Sequence, residues 1–235
     1  MKLAIMQPYF FPYLGYFALI KHTDHFMVFD TPQFIRHGWI ERNRILKPNE
    51  GWHYIKVPLE KHGRETVINE ICIKNSENWK EKILAQLTHY KKSAKYYKDT
   101  VTVVQDVFKF DTNSIVDLNN HALKTVCNYL DISTEWSVFS KLNLKIIQPE
   151  APDEWALNIS LAMNAKEYIN PPGGESFFNR NKYAGRDLKL SFLQFQITEY
   201  NQKRDDFEPG LSIIDALMFN SPTEINEMLN KYSLK

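Results

Sequence analysis

The first thirty residues constrain the fold more tightly than any other stretch of the chain. Leu3-Ala4-Ile5-Met6 is a short apolar run stopped by Gln7-Pro8, and His25-Phe26-Met27-Val28-Phe29-Asp30 is a second. Neither alternates polar with apolar residues, so each reads as a strand buried on both faces, as in a parallel sheet. Between them Leu14, Phe17 and Ala18, with Lys21 near the end, fall at helical spacing. Parallel neighbours need a crossover, and the helix supplies it. The stretch is a βαβ unit, and it predicts an α/β fold built on a Rossmann-like, mostly parallel sheet.

The rest of the chain extends that start. Trp52–Leu59 and Ile68–Ile73 alternate in a way that predicts a β-hairpin laid beside the sheet. Asn78–Lys92, Lys98–Phe108 and Asn113–Leu130 carry helix-period apolar positions, with Asn113 as the expected N-cap. Strand character returns at Glu135–Phe139, followed by an amphipathic helix over Asp153–Ala165. A strand at Glu167–Asn170 is halted by Pro171-Pro172-Gly173-Gly174. One more strand is predicted over Leu188–Phe195, and two closing helices over Ser212–Phe219 and Thr223–Leu229. At 235 residues the chain exceeds the roughly 150 of an average domain, yet no linker, repeat or low-complexity tract divides it. The expectation is one α/β domain over 1–235, with 78–130 as a helical insertion or cap.

Charge and cysteine usage exclude several classes. Lys and Arg number 29 against 28 Asp and Glu, a net charge of +1. Holding a polyanion by bulk charge leaves a clear basic excess, so nucleic acid is not expected as a partner. Two cysteines, Cys72 and Cys127, are too few for a disulfide framework or a cysteine zinc site. No run approaches the roughly 18 apolar residues of a membrane span, and the opening run meets Pro8 after four apolar residues. A cytoplasmic location is expected.

In an open parallel sheet, ligands sit outside the carboxyl ends of the strands, which selects three loops. The first holds Gln7, Pro8, Tyr9, Tyr13, Gly15 and Tyr16, with six aromatics between Tyr9 and Phe17. Its prolines stiffen it, Gly15 permits close approach, and the free amides of the following helix favour an anion such as phosphate. The competing reading is an aromatic plug over the sheet edge. The second holds Asp30, Gln33 and His37, then Trp39 and Arg42-Asn43-Arg44, where two guanidiniums suit a phosphate or carboxylate and the indole offers a flat surface. The alternative is a solvated charged turn paired to Glu41. The third, Asn170 with Gly173-Gly174, exposes amides, as a plain turn also does.

Metal and nucleophile patterns are weak. The seven histidines never stand at an i,i+4 spacing with a carboxylate between them, and the cluster of His22, Asp24, His25 and Asp30 flanks a buried strand. There is no Walker loop, Gly-x-Gly-x-x-Gly or Gly-x-Ser-x-Gly. No metal is expected, and no cofactor is named.

These residues resemble the WbqC-like protein family of bacteria. The resemblance runs through Ile5-Met6-Gln7-Pro8-Tyr9-Phe10-Phe11-Pro12-Tyr13-Leu14-Gly15-Tyr16-Phe17, Asp24, Asp30, Gln33, Trp39-Ile40 and Arg42-Asn43-Arg44. It continues in Tyr168-Ile169-Asn170 with Gly173-Gly174 and in Ser212-Ile213-Ile214-Asp215, so it covers nearly the whole chain. It implies work on nucleotide-linked sugars for O-antigen or other surface polysaccharides. More distantly, Pro12-Tyr13-Leu14-Gly15-Tyr16 lies where Rossmann-like nucleotidylyltransferases carry His-x-Gly-His, with tyrosine here in place of both histidines. A neutral phenol stabilises a transferring phosphate less well than imidazolium.

The function expected from residues and resemblance together is a transferase that acylates or aminoacylates the amine of a nucleotide-linked amino sugar. Its partners would be that sugar nucleotide and an acyl or aminoacyl donor, with room for a homodimer. Asp30, Tyr16 and His37 are the candidate catalytic groups. Arg42 and Arg44 would clamp the diphosphate, and Tyr9, Tyr13 and Tyr16 would border the sugar or base. Gln7, Pro8, Gly15, Gln33, Asn43, Asn170, Gly173 and Gly174 complete the expected binding set. The alternatives are a nucleotidyl-transfer or adenylate-forming enzyme, and a sugar-nucleotide-binding protein without catalysis.

Overall fold

The computed structural model describes residues 1–235. The chain opens with β1 (Lys2–Met6), α1 (Leu14–Lys21) and β2 (His25–Val28). A hairpin follows, β3 (Arg42–Leu46) with β4 (Trp52–Lys56), and then α2 (Trp79–Leu87), α3 (Tyr97–Lys109) and α4 (Ile115–Tyr129). The second half runs through β5 (Glu135–Val138), α5 (Glu154–Ala162), β6 (Glu167–Asn170), α6 (Arg180–Ala184) and β7 (Lys189–Phe195). It closes with α7 (Ile213–Phe219), α8 (Pro222–Leu229) and β8 (Tyr232–Leu234). No helix is long and apolar enough to cross a membrane.

The main sheet has six strands in the order β5-β2-β1-β6-β7-β8, parallel except for the final antiparallel pair. From β1 the chain moves outward through β2 to β5, then returns to the other side for β6 and β7. The winding reverses between β1 and β6, the place where a Rossmann-like sheet opens a crevice at its carboxyl edge.

Register explains why these short strands carry no polar face. Ala4 stands opposite Phe26 and Ile5 opposite Met27, so alternate residues feed two cores. Ala4, Phe26 and Val28 join α1, α7, α8, the hairpin and α2–α4 in the larger core. Leu3, Ile5, Met27 and Phe192 face α5 and Tyr183 of α6 in the smaller one. Helix α1 is buried from Leu14 to Ile20, because the sheet covers one side and the helical segments the other.

The hairpin expectation needs correction. The partner of β4 is Arg42–Leu46, paired Arg44 to Tyr54 and Ile45 to His53, and the two strands form a sheet of their own. Ile68–Glu70 is a single 3-10 turn, and only an isolated bridge joins Leu59 to Ile73. The basic residues Arg42 and Arg44 disguised a strand whose other face, Asn43 and Ile45, is buried. The N-cap of α4 is Ser114, whose hydroxyl accepts from the Asp117 N–H at 3.2 Å, one position beyond Asn113. Strand β8 lies outside all the expected elements. Helices α2–α4 share one continuous apolar core with α1.

Candidate functional site

The loop from Gln7 to Tyr13 leaves the carboxyl end of β1 and is held by its own carbonyls. Tyr16 donates its hydroxyl to Gln7 O at 2.7 Å, Asn119 Nδ2 to Pro8 O at 2.9 Å, and Asn43 Nδ2 to both Phe10 O (3.0 Å) and Phe11 O (2.9 Å). Ser212 Oγ donates to Phe11 O at 2.7 Å and the Ile213 amide to Pro12 O at 2.8 Å. Phe11 sits at φ 41°, a left-handed conformation that a phenylalanine adopts only when its surroundings enforce it. The donors from β3, α4 and the start of α7 supply that enforcement.

This scaffold divides the six aromatics. Phe10, Phe11, Tyr16 and Phe17 are buried in the larger core. Tyr9 and Tyr13 stay half-buried, and with Pro12 they wall an open cavity of about 250 Å³. The opposite wall is Trp39, Asn43, Arg44 and Gly210. Burial lifts both phenols above the ordinary tyrosine range, with the neighbouring Tyr13 adding to the effect on Tyr9, so both are neutral hydroxyls at physiological pH. Neither hydroxyl makes a hydrogen bond within the chain, and that of Tyr13 lies over Gly15 of α1.

Arg44 is the one charged group in the cavity wall. Its guanidinium lies 5.0 Å from the Trp52 ring and 5.4 Å from the Trp39 ring, and Nη2 donates to Gly210 O at 3.0 Å. Its Nε is buried with no acceptor. Stacked between indoles, the cation is oriented and partly stripped of water, so it attracts an anion or carbonyl oxygen more strongly than a solvated arginine does.

Arg42 lies on the same face of β3, but its guanidinium bonds His37 O at 2.5 Å and Gly38 O at 3.4 Å and covers the Tyr54 ring at 4.1 Å. Glu41 accepts from the His37 amide at 3.1 Å, and its other carboxylate oxygen is buried without a partner. Together these two residues brace the turn that carries Trp39. No ion pair joins Glu41 to either arginine. Asn43 is buried and uses its carboxamide on the loop, while its backbone strand contributes to the cavity.

The remaining candidates lie apart from the cavity. Asp30 is buried and accepts from the amide (3.0 Å) and the hydroxyl of Ser140 after β5. Tyr16 lies beneath the loop, its phenol pushed well above its usual range by burial. His37 is exposed at φ 63°, and Gln33, also exposed, donates to Arg64 O at 2.8 Å. Gln7 is half-buried and Pro8 buried, neither lining the cavity. Gly15 carries Tyr13: a Cβ there would lie 2.5 Å from the phenol ring, so the glycine lets the cavity wall lie flat on α1. Asn170 accepts from Tyr168 at 2.7 Å and donates to Pro171 O at 2.8 Å. A Cβ on Gly174 would meet Asn170, while Gly173 faces open space. No three His, Cys, Asp or Glu side chains come together as a metal site would require.

Gly210, Trp52 and Asp215 escaped the sequence reading as site residues. Asp215 is fully buried under the segment that delivers Gly210. It accepts from Tyr200 (2.6 Å), Tyr90 (2.7 Å) and Gln202 (2.9 Å), and burial lifts its carboxyl above the ordinary range. Tyr90 in turn accepts from the Leu46 amide of β3 at 2.9 Å. Its signal in the sequence was the Ser212–Asp215 string, whose partners lie too far along the chain to be inferred.

The chain is 27% identical over 231 residues to the uncharacterized protein Rv1507c of Mycobacterium tuberculosis (strain ATCC 25618 / H37Rv), covering 97% of each chain. No solved structure matches it. The model of the WbqC-like protein family matches residues 7–227, which span the β1–α1 loop, Trp39 with β3, and Gly210, the segments that line the cavity. The chain belongs to the WbqC-like protein family.

Proposed function

We propose that this protein binds a nucleotide-linked amino sugar and acts on it as a transferase, acylating or aminoacylating the sugar amine in polysaccharide biosynthesis. Membership of the WbqC-like family suggests the polysaccharide setting. The observation that carries the ligand class is the cavity wall, where one half-buried guanidinium stands among flat aromatic rings outside the carboxyl end of β1. At about 250 Å³ the cavity is smaller than the roughly 300–1,000 Å³ of sites that enclose a drug-sized ligand, so it takes one ring of the substrate and leaves the rest outside. Arg44 alone, rather than a pair of arginines, meets the ligand in this reading.

A second reading, binding without transfer, is favoured by the hydrogen bonds that occupy Asp30 and Tyr16. A thermal-shift panel of UDP-, dTDP- and GDP-sugars, ATP with Mg²⁺ and acyl-CoA tests both. A ligand at a hundred times its Kd stabilises the native state by about 2.7 kcal/mol. A shift with sugar nucleotides that is lost in Arg44→Ala supports the site. Product detected by mass spectrometry with a sugar nucleotide and acyl donor then decides for transfer. A shift with ATP and Mg²⁺ alone would turn the assignment toward nucleotidyl chemistry.

A further inference from the structure

We propose that Asn119 of α4 is a positioning residue for the cavity, fixing the separation of its two walls although it lines neither. This role rests on the nucleotide-linked reading above and adds the group that holds the binding site to shape. One wall comes from the β1–α1 loop and the other from Trp39 and β3, and no residue between 45 and 209 lines the cavity. Asn119 reaches both walls from a third element. It is fully buried, and its Nδ2 donates to Pro8 O at 2.9 Å and to Ile40 O at 2.8 Å. Pro8 precedes Tyr9 and Ile40 follows Trp39, so the carboxamide ties the chain one residue away from an aromatic on each wall.

The chemistry of the clamp is specific. An amide nitrogen carries two hydrogens and each carbonyl takes one, whereas the amide oxygen turned toward the same two carbonyls would find only acceptors. Neither Pro8 O nor Ile40 O has another donor in the chain. An apolar residue of similar size would fill the space and leave both carbonyls buried and unpaired. Asn43 joins the walls at Phe10 O and Phe11 O. Beside Tyr9 and Trp39 the join is one backbone bond, from the Phe10 amide to Trp39 O at 2.8 Å, together with the Asn119 pair. A ring held between two walls loses a quarter to a half of each contact when a gap of roughly 0.5–1 Å opens, so the width of the cavity governs affinity. Through Asn119 the helical segment 78–130 enters the binding machinery without touching the ligand.

The test compares Asn119→Ala with Val126→Ala, a truncation of another buried residue of α4 that touches neither wall, in the intact chain and at urea concentrations that give the two equal global stability. The first readout needs no ligand. Exchange of the Phe10 amide, the bond that crosses between the walls, is expected at least about tenfold faster in Asn119→Ala than in Val126→Ala, and a smaller ratio overturns the clamp. The second readout is calorimetric titration with UDP-, dTDP- and GDP-glucose. The tightest of the three should weaken in Asn119→Ala by at least about five times the factor seen in Val126→Ala, whereas a smaller difference shows a merely structural asparagine and overturns the positioning role. If none of the three binds the parent at millimolar concentration, the nucleotide reading falls, and the exchange ratio by itself decides whether Asn119 holds the walls. Should Asn119→Ala fail to fold, Asn119→Ser, whose hydroxyl has a single hydrogen to share between two carbonyls, is judged by the same two ratios.

Discussion

Arg42 and Arg44 stand two positions apart on one strand and meet different surroundings. Arg42 closes the turn that holds Trp39, whereas Arg44 borders the cavity. Arg42→Ala should therefore act on stability and on the placement of Trp39, lowering the melting temperature and weakening ligand by less than tenfold. Arg44→Ala should weaken nucleotide by roughly 1.5–3 kcal/mol, the scale of a hydrogen bond to a charged group. Calorimetry showing equal losses in both variants would restore a two-arginine clamp. Gly15 poses a second residue-scale test. Because a Cβ would meet the Tyr13 ring at 2.5 Å, Gly15→Ala should displace Tyr13 and weaken ligand. Its better helix propensity, worth up to about 1 kcal/mol, should keep the fold near parental stability. A melting temperature that collapses with ligand affinity intact would refute that division.

At the scale of elements, βαβ order was legible because buried parallel strands and their crossover helix leave contiguous apolar signals, as at Leu3–Met6 and Leu14–Lys21. The strand Arg42–Leu46 was not. Its alternation of charged and buried residues makes sense only once Asn43 is known to hold the Phe10 and Phe11 carbonyls. The site was legible in the same uneven way: the loop after β1 and Arg44 stood out by composition, but the side each residue faces depends on register that no local pattern encodes. Gly210 and Asp215 enter through contacts across the whole chain. Asp215→Ala should show how much α7 and the hairpin rely on this carboxylate. Removing it strands the buried hydroxyls of Tyr90 and Tyr200 without acceptors, and the cost is expected at about 3–5 kcal/mol, a melting-temperature fall on the order of 10 °C. A loss below about 1 kcal/mol in a denaturation titration would mean that the network is dispensable.

For the whole molecule, His22, His53 and His89 set the response to mild acid. Burial is the main cause that lowers each below the ordinary value near 6.5. Lys21 and Lys2 add to it at His22, His89 and Lys47 at His53, and Arg204 at His89. His53 and His89 lie with ring centroids 6.4 Å apart, each with a buried Nε2 lacking a partner. The unfolded chain takes up protons at these sites at a higher pH than the native one does. Stability should therefore hold above about pH 7 and fall as pH drops below about 6.5. Asp215 works in the opposite sense, since its raised carboxyl pKa favours proton uptake by the native state. Melting temperatures between about pH 7.5 and 5.5 for the parent and for His53→Gln/His89→Gln should separate the two, with a flatter profile in the variant. Identical profiles would exclude this histidine pair as the acid-sensitive element.

The walls of the cavity come from residues 9–13, 39–44 and 210, and the Arg44–Gly210 hydrogen bond spans 166 positions of sequence. A contact of that separation closes a very long loop, among the most entropically demanding steps in folding, so a pocket built this way cannot exist in a chain whose second half is still unstructured. Ligand binding therefore reports completion of the entire fold, and occupancy protects against global unfolding rather than local fraying. During synthesis a ligand would find nothing to hold until Gly210 has left the ribosome and met Arg44.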